Sequence, residues 1–152
     1  MTHATWIRPI ADLIERNQAR GGFFVIFPEY RPDQFLALAN HLGLAYFDYR
    51  DEVMSEFGWD ADRLSLDDLD ATLRDQAMTK GTLVSNVEAL LATKSADERK
   101  QWIQRFIHGS WGRTIIIPIV INALQVPETH QRVYRIAEKT LPEQTLINRL
   151  SF

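Results

Sequence analysis

Residues 23–27 form the uninterrupted apolar run Phe-Phe-Val-Ile-Phe, which constrains the fold more than any other part of the chain. Such a run is typical of a β-strand that is covered on both faces. A short turn follows, and the apolar spacing then predicts an amphipathic helix over residues 33–41. In α/β nucleotide-binding domains the turn between the first strand and its helix holds phosphate. This turn is therefore the first place to look for a ligand.

The rest of the chain continues the alternation of strands and helices. Ser65 and Ser95 each precede an acidic residue by three positions, which predicts a capping box at the start of two helices. We expect Gly21 and Gly22 to end the first helix. Pro118 should lie at the end of a paired segment or at a bulge, because proline cannot donate to a ladder. The predicted helices cover residues 6–20, 33–41, 65–78 and 95–108, and the predicted strands cover residues 23–28, 44–49, 82–86, 114–120 and 132–136.

These elements predict a three-layer α/β sandwich with a mostly parallel sheet of about five strands. Residues 50–80 form an acidic helical region, in which Leu66, Leu69, Leu73 and Met78 are expected to be buried. The tail, residues 144–152, is compatible with either a strand or a helix. The full length of 152 residues predicts one domain, 1–152.

Composition limits the classes of function. The chain has no cysteine, which excludes disulfides, thiol nucleophiles and cysteine metal sites. A net charge of −3 argues against a dedicated nucleic-acid-binding protein, so nucleic-acid contact by this chain alone is not expected. No apolar run reaches the roughly 18 residues that span a bilayer, and the first residues lack the pattern of a signal peptide. We therefore expect a cytoplasmic protein without membrane contact.

The string Asn86-Val87-Glu88 follows the predicted third strand. With the order of strands and helices around it, this string resembles the core of P-loop NTPases with an inserted strand, the group that includes the AAA proteins. The resemblance places Ser85 where many members have the aspartate that holds Mg²⁺, and Glu88 at the nearby acid that polarises the attacking water. Asn122 takes the position of a sensor residue. In size and in this string, the chain is similar to the small stand-alone P-loop protein of BREX-type phage-defence operons.

The turn at residues 28–32, Pro-Glu-Tyr-Arg-Pro, departs from that family. A phosphate loop needs glycines and a lysine, and this turn has neither of them. The resemblance therefore implies a pseudo-NTPase, that is, a non-catalytic adaptor or assembly subunit of a bacterial phage-defence complex. It would bind protein partners or itself and have no cofactor, unless the altered turn still binds ATP and Mg²⁺, in which case Glu88 is the catalytic candidate. The candidate ligand-binding residues are Glu29, Tyr30, Arg31, Ser85, Asn86 and Glu88.

Acidic side chains suggest an alternative function. Glu29, Asp48 and Glu88 fall at the predicted carboxyl ends of strands, which is the edge where parallel sheets bind ligands. Three carboxylates there could hold Mg²⁺ or Mn²⁺ and make the protein a metal-dependent nuclease or phosphotransfer enzyme. Equally, each acid could cap a helix or face solvent.

Arginine and tryptophan side chains suggest a protein–protein interface. These residue types are the usual anchors of such contacts. The candidates are Arg99, Arg105, Trp111 and Arg113. Trp102 belongs to the apolar stripe of its helix and could instead be a core residue, with the arginines in solvent.

Overall fold

The computed structural model describes residues 5–143. Its five strands form one all-parallel sheet in the order β2-β3-β4-β1-β5. The predicted α/β class and the parallel sheet are confirmed, whereas the predicted tail at residues 144–152 lies outside the described residues. The strands are β1 Gly21–Phe27, β2 Ala45–Asp48, β3 Thr82–Ser85, β4 Thr114–Val120 and β5 Val133–Arg135.

Helices cover both faces of the sheet. Successive residues of a strand point to opposite faces, so Phe24 and Ile26 pack on one side while Phe23, Val25 and Phe27 pack on the other. The helices that precede β2 in the chain cover the face of Phe23, Val25 and Phe27. The helices that follow β2 cover the face of Phe24 and Ile26. The helices are α1 Arg8–Arg16, α2 Pro32–His41, α3 Tyr49–Glu52, α4 Leu66–Gln76, α5 Val87–Leu91 and α6 Ala96–His108, with short 3₁₀ helices at Met54–Glu56, Gly58–Arg63 and Glu138–Thr140.

The two predicted capping boxes are present. Ser65 and Ser95 each accept the backbone N–H three residues on, and the acid at that position accepts the N–H of the serine. Leu69 and Leu73 are buried, but the prediction for Met78 is wrong, because this side chain is 70% exposed. Helix α4 ends at Gln76, so Met78 no longer follows the helical period.

The prediction that Gly21 and Gly22 end the first helix is also wrong. Helix α1 ends at Arg16, and both glycines belong to β1. Gly22 lies directly beneath helix α6, where a Cβ atom would come within 2.6 Å of the Phe106 ring. This glycine is required by close packing between a strand and a helix, a constraint that local sequence does not reveal.

Pro118 lies within β4, opposite Val25 of β1. On the other side of β4, pairing with β3 extends only as far as Leu83 and Ile116. The N–H of Ile121 donates to β1, so by alternation positions 118 and 120 face the β3 side. The missing N–H of Pro118 therefore falls beyond the end of that paired segment, as expected.

Among residues 5–143, no helix combines the length and the apolar character needed to cross a membrane.

Candidate functional site at the carboxyl edge of the sheet

The carboxyl ends of the strands meet at one edge because the sheet is parallel. Three side chains that follow different strands are hydrogen-bonded in a row at this edge. The Tyr30 hydroxyl donates to Asn86 Oδ1 at 3.2 Å, and Asn86 Nδ2 donates to Asp48 Oδ1 at 2.8 Å. The structure thus brings together the loop after β1, the end of β2 and the turn after β3.

Asp48 has a second role in this row. Its Oδ1 atom accepts the backbone N–H groups of Arg50 and Asp51 at 3.1 and 3.2 Å, which caps helix α3. The same oxygen therefore receives three donors from the chain. This carboxylate oxygen therefore stabilises the fold at the edge of the sheet.

Asn86 connects β3 to α5 in a left-handed conformation, with φ 64° and ψ 21°. Asparagine adopts this conformation more readily than most residues, because its short polar side chain bonds locally. The residue before it, Ser85, is fully buried and donates to the Tyr46 hydroxyl at 3.0 Å. Burial raises the pKa of Tyr46, and the nearby charge of Asp48 raises it further. The hydroxyl group of Ser85 is therefore used in a hydrogen bond within the sheet edge.

Glu88 contacts a different part of the edge. Its Oε1 atom accepts the backbone N–H of Val120 at 3.1 Å. That N–H faces the side of β4 that β3 has already left, so the carboxylate replaces a missing strand partner. Burial raises the pKa of Glu88, although the hydrogen bond from Val120 opposes this change. The candidate catalytic acid is thus a hydrogen-bond acceptor for the sheet.

The loop between β1 and α2 is built around a buried arginine. Arg31 is only 3% exposed. Its guanidinium donates to both carboxylate oxygens of Asp33, at 3.1 and 3.0 Å, and Nη1 lies 3.9 Å from Glu29. Burial alone would raise the pKa of Asp33, but the hydrogen bonds from Arg31 and Gln34 outweigh it and the pKa falls below its ordinary value. The carboxylate of Asp33 is therefore ionised and held in place at neutral pH.

The Arg31–Asp33 pair lies at the N-terminus of helix α2, in the turn that follows β1. Helix α2 begins at Pro32, which has no N–H to donate, and Asp33 places a negative charge in the first turn. An incoming phosphate would meet this carboxylate and Glu29 before it reached Arg31. The carboxylate of Asp33 thus compensates the positive end of the helix dipole of α2.

The three carboxylates proposed as an alternative metal site have separate partners. Glu29 lies beside Arg31, Asp48 binds Asn86, and Glu88 binds Val120. Within residues 5–143, no group of three acidic or histidine side chains is placed to hold a metal ion.

The four residues proposed as an interface lie in two places. Arg99 donates to the Lys94 carbonyl at 2.6 Å, and Arg105 lies 3.9 Å from Asp70, both on α6. Trp111 is buried and donates to the Phe106 carbonyl, whereas Arg113 is exposed beside it at the opposite edge of the sheet. Trp102 is a core residue, 1% exposed, and donates to Asp70 at 2.7 Å.

Sequence reasoning missed two residues that matter. The signal for Asp33 is its place directly after a helix-starting proline, because an acid there marks the first helical turn. Trp59 is 102% exposed, and its position in the acidic region gave no periodic pattern from which exposure could be inferred. Asn122, the residue at the expected sensor position, uses its side chain to close the loop after β4, since it forms hydrogen bonds with Val126 and Glu128.

Comparison of the chain with protein-family models finds no match, and comparison with curated proteins finds none either.

Proposed function

We propose that this protein is a non-catalytic assembly subunit, a pseudo-NTPase that keeps a P-loop-like scaffold and binds other proteins. The observation that carries the proposal is the Arg31–Asp33 pair at the start of α2. It places an ionised carboxylate where a nucleotide phosphate would bind. The strand order supports the scaffold, since β4 lies between β1 and β3, as an inserted strand would.

The hydrogen bonds formed by Glu88 and Ser85 support the same proposal. An acid that activates water must present a free carboxylate oxygen to the water, near the phosphate. One oxygen of Glu88 is bound to the backbone of β4, and Ser85 is bound to Tyr46. Each of the two residues that the family resemblance assigns to metal and water thus forms a hydrogen bond within the fold, which leaves Glu88 one carboxylate oxygen for contact with water and gives Ser85 a structural role.

Calorimetric titration with ATP and Mg²⁺ tests the proposal. We expect no binding heat up to millimolar nucleotide, and no ATP hydrolysis. The matched enzyme control is Glu88→Gln, which keeps an oxygen acceptor for Val120 and removes the charge. Micromolar binding, or a hydrolysis rate that Glu88→Gln abolishes, would show that the altered loop still binds phosphate and would overturn the proposal.

The resemblance to the phage-defence protein extends the proposal to the biological setting. Deletion of the gene from its host should raise the plating efficiency of phage if the protein belongs to a defence complex. Unchanged plating would separate the assembly role from phage defence.

A further inference from the structure

Trp59 is the most exposed large apolar side chain in the part of the chain that the structure describes. It lies in the 3₁₀ helix Gly58–Arg63, two residues after Phe57, which is 46% exposed. Five carboxylates and no basic residue lie between positions 51 and 62. We name residues 51–62 the acidic aromatic segment. Tryptophan is highly buried on average, and it is one of the residue types enriched at the hot spots of protein interfaces.

The charges of this segment are largely unneutralised. Asp60 pairs with Arg63 at 3.7 Å, but Glu52, Glu56 and Asp62 are exposed and form no side-chain ion pair within residues 5–143. The segment therefore presents an indole ring surrounded by carboxylates. A partner that fits it must offer both a pocket for the ring and several positive charges.

A groove with those properties lies on the same chain. It has a volume of 550 Å³, within the usual range of about 300–1,000 Å³ for ligand pockets. Arg20, Arg74 and Arg113 line it, together with the 70% exposed Met78. We name this the arginine groove. None of its three guanidinium groups forms an ion pair with another described residue.

Within the arginine groove, the guanidinium of Arg74 already lies over an aromatic ring that lines the same groove. The Arg74 Cζ atom lies 5.5 Å from the centroid of the buried Trp111 ring. Arginine can stack on an aromatic ring and pair with carboxylates in the same site. An occupant that carries an indole and neighbouring carboxylates would use both properties.

The two surfaces lie at opposite ends of the molecule. The acidic aromatic segment begins within α3, which starts where β2 ends, and Lys94 after α5 donates to the Asp62 carbonyl. Arg20 and Arg113 directly precede β1 and β4. Because all strands run the same way, the first surface is at the carboxyl edge and the second is at the amino edge.

The geometry points to head-to-tail self-association, in which the acidic aromatic segment of one copy occupies the arginine groove of a second copy. A contact between two different surfaces of the same chain leaves one surface free at each end, so it builds a ring or a filament. This inference rests on the proposed assembly function and names its first partner. It does not depend on the nucleotide result, so the two can fail separately.

Sedimentation equilibrium of the purified chain tests the inference. In low salt the average mass should rise with protein concentration above that of one chain, and about 0.5 M salt should reverse the rise because it screens the charges. Trp59→Ser should raise the dissociation constant by roughly 30-fold or more, as expected for a hot-spot residue. Association should also bury Trp59 and shift its fluorescence emission to shorter wavelength. The shift reports on Trp59, because Trp6, Trp102 and Trp111 are already buried in the single chain.

Charge reversal provides the decisive arm. Glu56→Lys with Asp62→Lys should abolish association, and Arg20→Glu with Arg113→Glu should do the same. A mixture of the two double variants should associate again, since each then offers a complementary surface to the other. Arg8→Glu with Arg16→Glu is the matched control, because both arginines are exposed on α1 and neither lines the groove.

Circular dichroism confirms that each variant is folded. A wild-type chain that stays monomeric at low salt and high concentration would overturn the inference. Association that survives both charge reversals, or that does not return in the mixture, would overturn it as well.

Discussion

Arg31 and Asp33 show how two residues decide what a loop can bind. Arg31 is buried, and Asp33 neutralises its charge, so the pair stabilises the fold. The carboxylate of Asp33 also repels anions that approach the loop. Glu88 and Asp48 follow the same logic, since each accepts backbone N–H groups that would otherwise be unpaired. At the scale of residues, these polar side chains at the carboxyl edge pair with groups of the chain itself.

Asp33→Asn should lower the free energy of unfolding at pH 7 by about 1–2 kcal/mol, since it removes the ion partner of a buried arginine. Asp33 is 41% exposed, so solvent screening keeps the loss modest. Its pKa lies below the ordinary value of 3.8, so the contribution is present above that pH and is lost as the pH falls through the lowered value. Urea denaturation of the wild type and the variant at a series of pH values from 7 downward measures the difference.

Asp67→Asn is the matched control. Asp67 is also the second residue of a helix, but it is exposed and has no ion pair with another described residue. It should cost only about 0.5 kcal/mol, the amount expected from the helix dipole. Equal losses in the two variants would show that the Arg31–Asp33 pair contributes nothing beyond the dipole.

At the scale of elements, local signals fixed the helix starts and tertiary contacts fixed several ends. Ser95 and Glu98 cap α6 as their spacing predicts, because a capping box involves only one turn of chain. Gly22 does not end α1, because it is required in β1 by the close approach of Phe106, which is distant in sequence. Packing between β1 and α6 is therefore sensitive to an added methyl group.

Gly22→Ala should destabilise the protein by about 1–3 kcal/mol, because the new Cβ atom would overlap the Phe106 ring and its carbonyl. Thermal unfolding followed by circular dichroism measures the change. Gly112→Ala is the control, since a Cβ atom there meets no atom within 4 Å, and it should stay within about 0.5 kcal/mol of wild type. A neutral Gly22→Ala would mean that α6 moves away from the strand without cost.

At the scale of the whole molecule, β4 joins two hydrophobic cores. Ile116 packs in the core beneath α1 and α2, and Ile117 packs in the core beneath the later helices. Both side chains are fully buried, and they belong to neighbouring positions of one central strand. Loss of either should therefore affect the stability of the entire sheet.

Ile116→Ala and Ile117→Ala should each cost about 2–5 kcal/mol in the free energy of unfolding. Tryptophan fluorescence and circular dichroism should report a single coincident transition in both variants, because the cores share the strand. Ile121→Ala is the control, since Ile121 is 66% exposed, and it should change stability by less than about 0.5 kcal/mol. Separate transitions would show that the two faces unfold independently.

The sequence by itself determined the α/β class, the strands at residues 23–27 and 114–120, and the capped helix starts. Apolar runs, alternation and capping depend on residues close together in the chain, which is why they are visible there. Only the tertiary structure decided that Glu88 binds Val120 and that Asn86 bridges Tyr30 and Asp48. It also separated the exposed Trp59 from the buried Trp6, Trp102 and Trp111. Contacts between distant segments depend on how the strands are ordered and how the helices pack, and no local pattern specifies either one.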